Sequence, residues 1–269
     1  MSEVDTEDPE PEPPTHPHPH PHPSRLRWWK EVLYIAGFDG VYSFIRNTQG
    51  SATVSAGHAL THAREVIRAE RAVGLYFEEA VQEAFLGWRW FIQFWNLFYG
   101  TFHFVVTIVA LVLLFRRFPA RYPPWRNTLA ATTALALIGF ATYPLLPPRL
   151  LPAPYGFVDT LRVYGGLWSF ESGPVAQVSN QYAAMPSLHF AWSTWSALVL
   201  YPMLTRRLSR LLAALYPVAT LFAIVVTANH FWLDAAGGAL LLGVGAAAGF
   251  ALARATTRHP VGEVAPNRA

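Results

Sequence analysis

The chain has 269 residues, of which 52% are hydrophobic and only 14% charged, and its mean hydropathy is +0.23. This composition excludes an ordinary soluble domain, and cysteine is absent, which excludes disulfides and thiolate metal sites. The formal net charge is +3, but residues 1–24 hold six acids and no Lys or Arg. The basic excess therefore falls on the apolar remainder. There it is typical of a membrane orientation signal rather than of nucleic-acid binding, so no nucleic-acid partner is predicted.

The N-terminal segment, residues 1–24, is acidic and then rich in His and Pro. Such a composition cannot build a core and predicts a disordered tail. It lacks the basic start and apolar centre of a signal peptide. We expect residues 25–254 to form one membrane domain and residues 255–269 a cytoplasmic tail.

Amphipathic and short apolar segments come next. Residues 32–45 are apolar but short, which predicts a first span, with an interfacial helix as the alternative. Residues 51–88 predict one or two amphipathic helices along a membrane face. One face would carry the apolar residues Ala59, Ala63, Val66 and Ile67, and the other would carry Arg64, Glu65, Arg68 and Arg71.

Long apolar runs then predict spans at residues 90–115, 128–146, 185–204, 211–227 and 233–253, each about the length that crosses a bilayer. Two arginine-rich loops and the C-terminal tail should be cytoplasmic by the positive-inside rule. The prediction is therefore an all-α, polytopic membrane protein: a bundle of six transmembrane helices, with interfacial amphipathic helices near the N-terminus and both termini cytoplasmic. Residues 150–184 are rich in Pro, Gly and aromatics, and they are predicted to form a lid over a functional site, with an ordinary packed loop as the alternative.

The span at residues 90–115 contains three polar side chains at helical spacings: Asn96, Tyr99 and His103. Polar residues inside a span usually face the bundle or a cavity. Contact with a substrate and hydrogen bonding between helices are both compatible with this pattern.

Three polar constellations fall on the non-cytoplasmic side in the six-span arrangement. Arg149 follows two prolines, and an arginine fork binds phosphate with two hydrogen bonds. Ser187 and His189 follow Pro186 where a helix begins, a place that favours an anion. His230 and Asp234 stand four residues apart, so on a helix the Asp could accept the imidazole Nδ1–H.

Together these residues predict phosphoryl transfer through a phosphohistidine. His230 would attack phosphorus, Asp234 would stabilise the cation that forms, and His189 would protonate the leaving oxygen. Asn229 is a further candidate for contact with the substrate. The alternatives are a snorkelling arginine, a plain helix cap and a solvated His–Asp pair. No cofactor is predicted, and no carboxylate cluster offers a metal site.

The stretches Pro186-Ser187-Leu188-His189 and His230-Phe231-Trp232-Leu233-Asp234 resemble the second and third motifs of the type 2 phosphatidic acid phosphatase superfamily. Pro147-Pro148-Arg149, Leu188 and the span with Asn96, Tyr99 and His103 look most like its inositolphosphotransferase branch, which includes fungal inositol phosphorylceramide synthase. The resemblance covers roughly residues 90–250. It implies a metal-independent, six-helix membrane enzyme with its site at the outer face. It also implies that His230 is the nucleophile, His189 the acid, Asp234 its orienter, and Arg149 and Ser187 the phosphate contacts.

Three positions depart from the superfamily pattern. Thr142 stands where a lysine is usual, Leu150 where a proline follows the arginine, and Ala223-Ile224 where Ser-Arg is usual. Arg162 or Asn229 could compensate for the missing cations.

The sequence thus predicts a lipid-phosphate phosphatase or phospho-head-group transferase, with a membrane lipid phosphate and the bilayer as its partners. A membrane transporter or a catalytically inactive membrane partner is the alternative. A transporter site is expected near the membrane midplane, in repeated halves of the chain, whereas the polar groups of this chain are predicted at one membrane face.

Overall fold

The computed structural model describes residues 27–34, 36–37, 40, 55–165 and 182–258, and every regular element within these ranges is helical. Residues 28–34 are helical and precede eight α-helices. These are α1 (Ala56–Ala72), α2 (Glu78–Leu86), α3 (Arg89–Arg117), α4 (Tyr122–Thr142), α5 (Thr160–Tyr164), α6 (Leu188–Leu200), α7 (Arg207–Val226) and α8 (Trp232–Arg258). Short 3-10 turns occupy Pro148–Leu150, Ala153–Tyr155 and Tyr201–Met203. The all-α prediction is confirmed for the described residues.

Three of these helices are long and apolar enough to cross a membrane, by length and composition: α3, α7 and the Trp232–Thr256 part of α8. They have 29, 20 and 25 residues, which meets the roughly 20 that a bilayer core requires. Helix α4 carries Arg126 and Asn127 in its first turns, and α6 has 13 residues. The predicted span at residues 32–45 lies mostly outside the described residues, so the six-span count stays a prediction.

Two helix ends differ from the predicted spans. Helix α4 ends at Thr142 rather than at residue 146, since Pro144 disfavours helical geometry at the residue before it. Helix α6 begins at Leu188 rather than at residue 185, because Ser187 takes the N-cap position. The Ser187 side chain accepts a hydrogen bond there from the Phe190 N–H.

The amphipathic segment forms two helices, α1 and α2, and its predicted faces are confirmed. Ala59, Ala63, Val66 and Ile67 are buried, whereas the charged face of α1 is exposed. The buried stripe packs on Leu145, Leu146, Leu151, Ala184 and Phe231. Helix α1 therefore lies over the loops on either side of Arg149 and His230. Gly74, with φ of +74°, ends the helix in the left-handed region that favours glycine.

Small residues let α8 approach its neighbours closely. A Cβ atom at Gly249 would lie 2.4 Å from the Thr128 backbone nitrogen of α4. A Cβ atom at Gly238 would lie 2.4 Å from the Ser187 backbone oxygen, at the start of α6. This contact between backbones without intervening side chains is typical of packed membrane helices. It fixes the beginning of α6 against the beginning of α8.

Candidate active site

Backbone hydrogen bonds bring the three predicted motifs together. The Arg149 N–H donates to the Ala228 carbonyl at 2.8 Å, and the Ser187 N–H donates to the Asp234 carbonyl at 2.9 Å. A third bond, from the Leu145 N–H to the Tyr182 carbonyl at 2.7 Å, joins the two loops that enter the site. Segments separated by up to 79 residues thus meet at one end of the bundle.

The turn that presents His230 has an unusual backbone. Ala228, directly after the α7 C-cap, has φ of +53°, a conformation that costs a non-glycine residue about 1–2 kcal/mol. The N–H groups of Asn229 and His230 both donate to the Ile224 carbonyl, which closes the end of α7. This strained turn sends His230 back over the bundle rather than onward along α7.

The His230 ring is held in one tautomer. Its Nδ1 lies 2.8 Å from the Ala184 carbonyl oxygen and 3.2 Å from Asp234 Oδ2. Because both neighbours are acceptors, Nδ1 carries the proton and Nε2 presents its lone pair. The His230 side chain is 4% exposed, and its Nε2 has no hydrogen-bond partner within the described part of the chain. A buried lone pair with no partner is what a nucleophile requires.

Asp234 is itself fixed by the backbone. Its Oδ2 accepts from the Phe231 N–H at 2.9 Å as well as from His230. Asp234 is the third residue of α8, and its side chain accepts from the backbone N–H of Phe231, the residue just before the helix, as in a capping box. The carboxylate therefore cannot swing away from the imidazole without giving up a second hydrogen bond.

His189 lies in the first turn of α6, with its ring centroid 5.6 Å from that of His230. Tyr99 stacks on it at 4.1 Å with an interplanar angle of 21°, and the His103 ring packs against it at 4.2 Å. His103 donates from Nδ1 to the Tyr99 carbonyl at 3.0 Å, which fixes its own ring. Two of the polar residues predicted in the long span thus orient His189 at a distance that one phosphoryl group can bridge.

Arg149 reaches the same place, with 9% of its side chain exposed. Its Nε donates to Asn229 Oδ1 at 3.1 Å, and its Nη1 donates to Asp159 Oδ2 at 2.8 Å. Asn229 is in turn held by its amide, which donates to Thr227 Oγ1 at 2.8 Å. The guanidinium is therefore aimed by the residue next to His230.

Asn96 and Ser187 are occupied by local structure. The Asn96 amide donates to the carbonyls of Thr160 and Gly165, both at 3.0 Å, and its Oδ1 lies 2.9 Å from Thr160 Oγ1. These bonds fasten α5, and with it Asp159, to α3. Ser187 is fully buried as the α6 cap. The predicted contacts of these two side chains with a substrate stay predictions.

The sequence matches the PAP2 superfamily over residues 64–248, which is well over half of the chain. The chain belongs to the PAP2 superfamily. This is the type 2 phosphatidic acid phosphatase superfamily that the motifs resemble, and membership indicates a phosphatase or phosphotransferase. The inositolphosphotransferase branch stays a prediction. No curated protein and no solved structure matches the chain.

The two positions where the PAP2 pattern has a cation, Thr142 and Ile224, carry no charge here. Thr142 is exposed and bonds to the Ile138 carbonyl of its own helix, while Ala223 and Ile224 are fully buried. Asn229 binds Arg149 directly, so it can act with the arginine. Arg162 is exposed on α5.

Three acidic residues around the candidate site of this PAP2 protein were not predicted from the sequence. Asp159 pairs with Arg149, while Glu70 and Glu78 are fully buried and bond to the start of α8. One sequence feature could have indicated Glu70: it follows Val66 by four residues and so falls on the apolar stripe of α1. A carboxyl on a buried helix face requires a partner.

We expect Arg149→Lys to weaken substrate binding in this PAP2 protein. Lysine keeps the charge but loses the fork that bridges Asn229 and Asp159. Loss of one hydrogen bond to a charged group costs about 1.5–3 kcal/mol, which would raise KM roughly 10- to 100-fold. Steady-state kinetics on a lipid phosphate would measure this, with exposed Arg68→Lys as the control. An unchanged KM would show that the phosphate does not contact Arg149.

Proposed function

We propose that the chain is a membrane enzyme that transfers the phosphoryl or phospho-head group of a lipid through a phosphohistidine on His230. One observation carries the proposal. The His230 imidazole is tied through Nδ1 to Asp234 and Ala184, and its buried Nε2 has no partner among the described residues. The His189 ring lies 5.6 Å away. A helix cap or a solvated ion pair would not produce this arrangement.

The first half-reaction forms the phosphohistidine. The His230 Nε2 lone pair forms a bond to phosphorus while the bond from phosphorus to the leaving oxygen breaks. Protonated His189 donates its proton to that oxygen, which departs as an alcohol. The Asp234 carboxylate stabilises the positive charge on the His230 ring, and Arg149 stabilises the negative charge on the phosphoryl oxygens.

The second half-reaction releases His230. Neutral His189 takes a proton from the acceptor, whose oxygen attacks phosphorus while the bond from nitrogen to phosphorus breaks. Water as the acceptor makes the enzyme a phosphatase, and an alcohol makes it a transferase. The resemblance to the inositolphosphotransferase branch supports an alcohol, and transfer of phosphoinositol to a lipid alcohol is the form of the reaction that we propose to test.

A lipid substrate is supported by the surroundings of the site. An apolar cavity of about 370 Å³ lies beside the arginine loop and is open to the surface. Its lining among the described residues includes Leu60, Leu146, Leu150, Pro152 and Tyr182. Leu150 follows Arg149 directly and Leu146 precedes it by three residues, so an acyl chain in the cavity would leave its phosphate near the arginine.

We further propose six spans, with the site at the outer membrane face and both termini in the cytoplasm. Arg116 and Arg117 end α3, and Arg207 begins α7, whereas the C-terminal end of α7 leads to His230. These three arginines therefore lie at the helix ends away from the site. The positive-inside rule supports a cytoplasmic location for those ends.

Product analysis tests the function. The purified protein in detergent would be given phosphatidic acid, a lipid pyrophosphate or phosphatidylinositol with and without a lipid alcohol. Free phosphate indicates a phosphatase, and diacylglycerol formed together with a phosphoinositol-bearing lipid indicates a transferase. The absence of turnover with every lipid would contradict the proposal and favour an inactive membrane partner or a transporter.

A further inference from the structure

Three consecutive backbone N–H groups at the start of α8 each donate to a carboxyl group. The Phe231 N–H donates to Asp234 at 2.9 Å, the Trp232 N–H to Glu78 at 3.3 Å and the Leu233 N–H to Glu70 at 2.9 Å. Asp234 belongs to α8 itself, but Glu70 and Glu78 come from α1 and α2. All three carboxyl groups are fully buried.

The carboxyl groups of Glu70 and Glu78 lie beside each other, because they accept hydrogen bonds from the consecutive N–H groups of Leu233 and Trp232. Each uses Oε1 for the backbone of α8, and each Oε2 is buried and receives no N–H or O–H from the described residues. Two ionised carboxylates buried side by side would repel each other, and a proton held by one of them removes that repulsion and can be donated to the other. Burial, and next the neighbouring Glu78 carboxyl group, raise the pKa of Glu70 to about 9, against the opposing effect of the Leu233 N–H. At neutral pH the pair therefore holds one proton.

The surroundings of the pair contain no close compensating cation among the groups that act on Glu70. Glu78 faces it from α2 and Asp234 from α8, and both raise its pKa. Tyr76, in the turn between α1 and α2, acts on Glu78, and burial raises the pKa of its phenol. Arg71 stacks over the Tyr76 ring, 4.6 Å from the centroid, on the exposed side. His230 is hydrogen-bonded through Nδ1 to Asp234 Oδ2.

The place where the pair binds matters for catalysis. Trp232 and Leu233 stand between His230 and Asp234 in the chain. Their hydrogen bonds to Glu78 and Glu70 therefore fix the backbone between the proposed nucleophile and the carboxylate that orients it. Unoccupied N–H groups at a helix start attract anions such as phosphate. The two glutamates fill those groups and leave the phosphate to Arg149 and to the region between the two histidines.

We propose that Glu70 and Glu78 are positioning residues of the phosphotransfer reaction, which share one proton and fasten α1 and α2 to the start of α8. The proposal rests on the function proposed above. Loss of the shared proton would leave two buried carboxylates facing each other. Their repulsion would loosen α1 and α2 and let Asp234 drift from the His230 ring.

A pH–rate comparison between wild type and Glu70→Gln tests this role. The Gln amide can donate to Glu78 and accept from Leu233, but it does not titrate. Above about pH 9, the ratio of the variant's kcat to that of wild type should rise about 10-fold per pH unit, as one proton is lost from wild type alone. Glu70→Ala should lower kcat with little change in KM. Exposed Glu83→Gln, on the same helix as Glu78, should follow wild type.

Thermal unfolding gives a readout that needs no substrate. The pKa of Glu70 is about 9 in the folded protein against an ordinary 4.5, so the folded state keeps the proton to a higher pH than the unfolded state does. Stability contributed by the pair is full below about pH 4.5 and is lost as the pH rises to about 9. The wild-type Tm should fall across this window more steeply than the Glu70→Gln Tm.

The outcomes separate the two proposals. If wild type turns over no lipid but its Tm shows the pH dependence that Glu70→Gln removes, the proposed function fails while the shared proton is retained. If Tm responds but the kcat ratio stays flat, the pair is only structural and the positioning role is overturned. Equal pH dependence of both Tm and kcat in wild type and Glu70→Gln would overturn the shared proton itself. Because Gln preserves the hydrogen bonds, this comparison stays decisive even if Glu70→Ala does not fold.

Discussion

Replacing His230 by alanine is expected to abolish turnover, with kcat falling roughly 10⁴- to 10⁶-fold, as when the nucleophile of a catalytic triad is removed. The reason is geometric. Nε2 of His230 carries a buried lone pair where the three motifs meet, and alanine leaves no group there that can form a bond to phosphorus. Lipid turnover in detergent measures the effect. His58→Ala, an exposed histidine on α1, is the matched control.

Trapping the intermediate makes the same prediction sharper. Lipid labelled with ³²P in the transferred phosphoryl group should label wild type covalently. The label should be lost in acid and retained in alkali, as expected for a bond between nitrogen and phosphorus. Neither His230→Ala nor a denatured sample should be labelled, whereas His58→Ala should be. Label that persists in His230→Ala would assign the nucleophile to another residue and contradict the mechanism.

The part of the site that depends on short-range spacing could be predicted from the sequence. His230 and Asp234 are four residues apart at a helix start, and the structure gives them the hydrogen bond that this spacing allows. The buried stripe of α1 follows from the 3.6-residue period in the same way. In both cases the pattern is local, so a helix alone determines which side chains share a face.

The part that depends on contacts between distant segments could not be predicted. Glu78 and Glu70 bond to backbone groups 154 and 163 residues away. Every residue except proline has a backbone N–H, so the sequence does not indicate which of them a distant side chain will bind. Asp159 stands in a loop where an acid is usually solvated, and only the fold shows that it meets Arg149. Such acids become informative only when their burial is known, because burial is what forces them to find partners.

His189→Gln is expected to lower kcat for a lipid phosphate by about 10²- to 10⁴-fold, the usual contribution of a general acid. A lipid alcohol is a poor leaving group unless its oxygen receives a proton, and glutamine cannot supply one. Glutamine does keep a polar side chain against Tyr99 and His103, so the packing around the site should be preserved. Steady-state assays of wild type, His189→Gln and the control His58→Gln measure the loss.

The choice of leaving group separates a proton donor from a phosphate ligand. Nitrophenol departs without protonation, so His189→Gln should still form the phosphohistidine from nitrophenyl phosphate at nearly the wild-type rate. The second half-reaction still needs His189 as the base that activates the acceptor. The variant should therefore release one burst of nitrophenol, equal to the enzyme concentration, followed by slow turnover. If the burst slows as much as lipid turnover does, His189 instead binds the phosphoryl group, and the proton that the leaving oxygen requires must come from another side chain near His230.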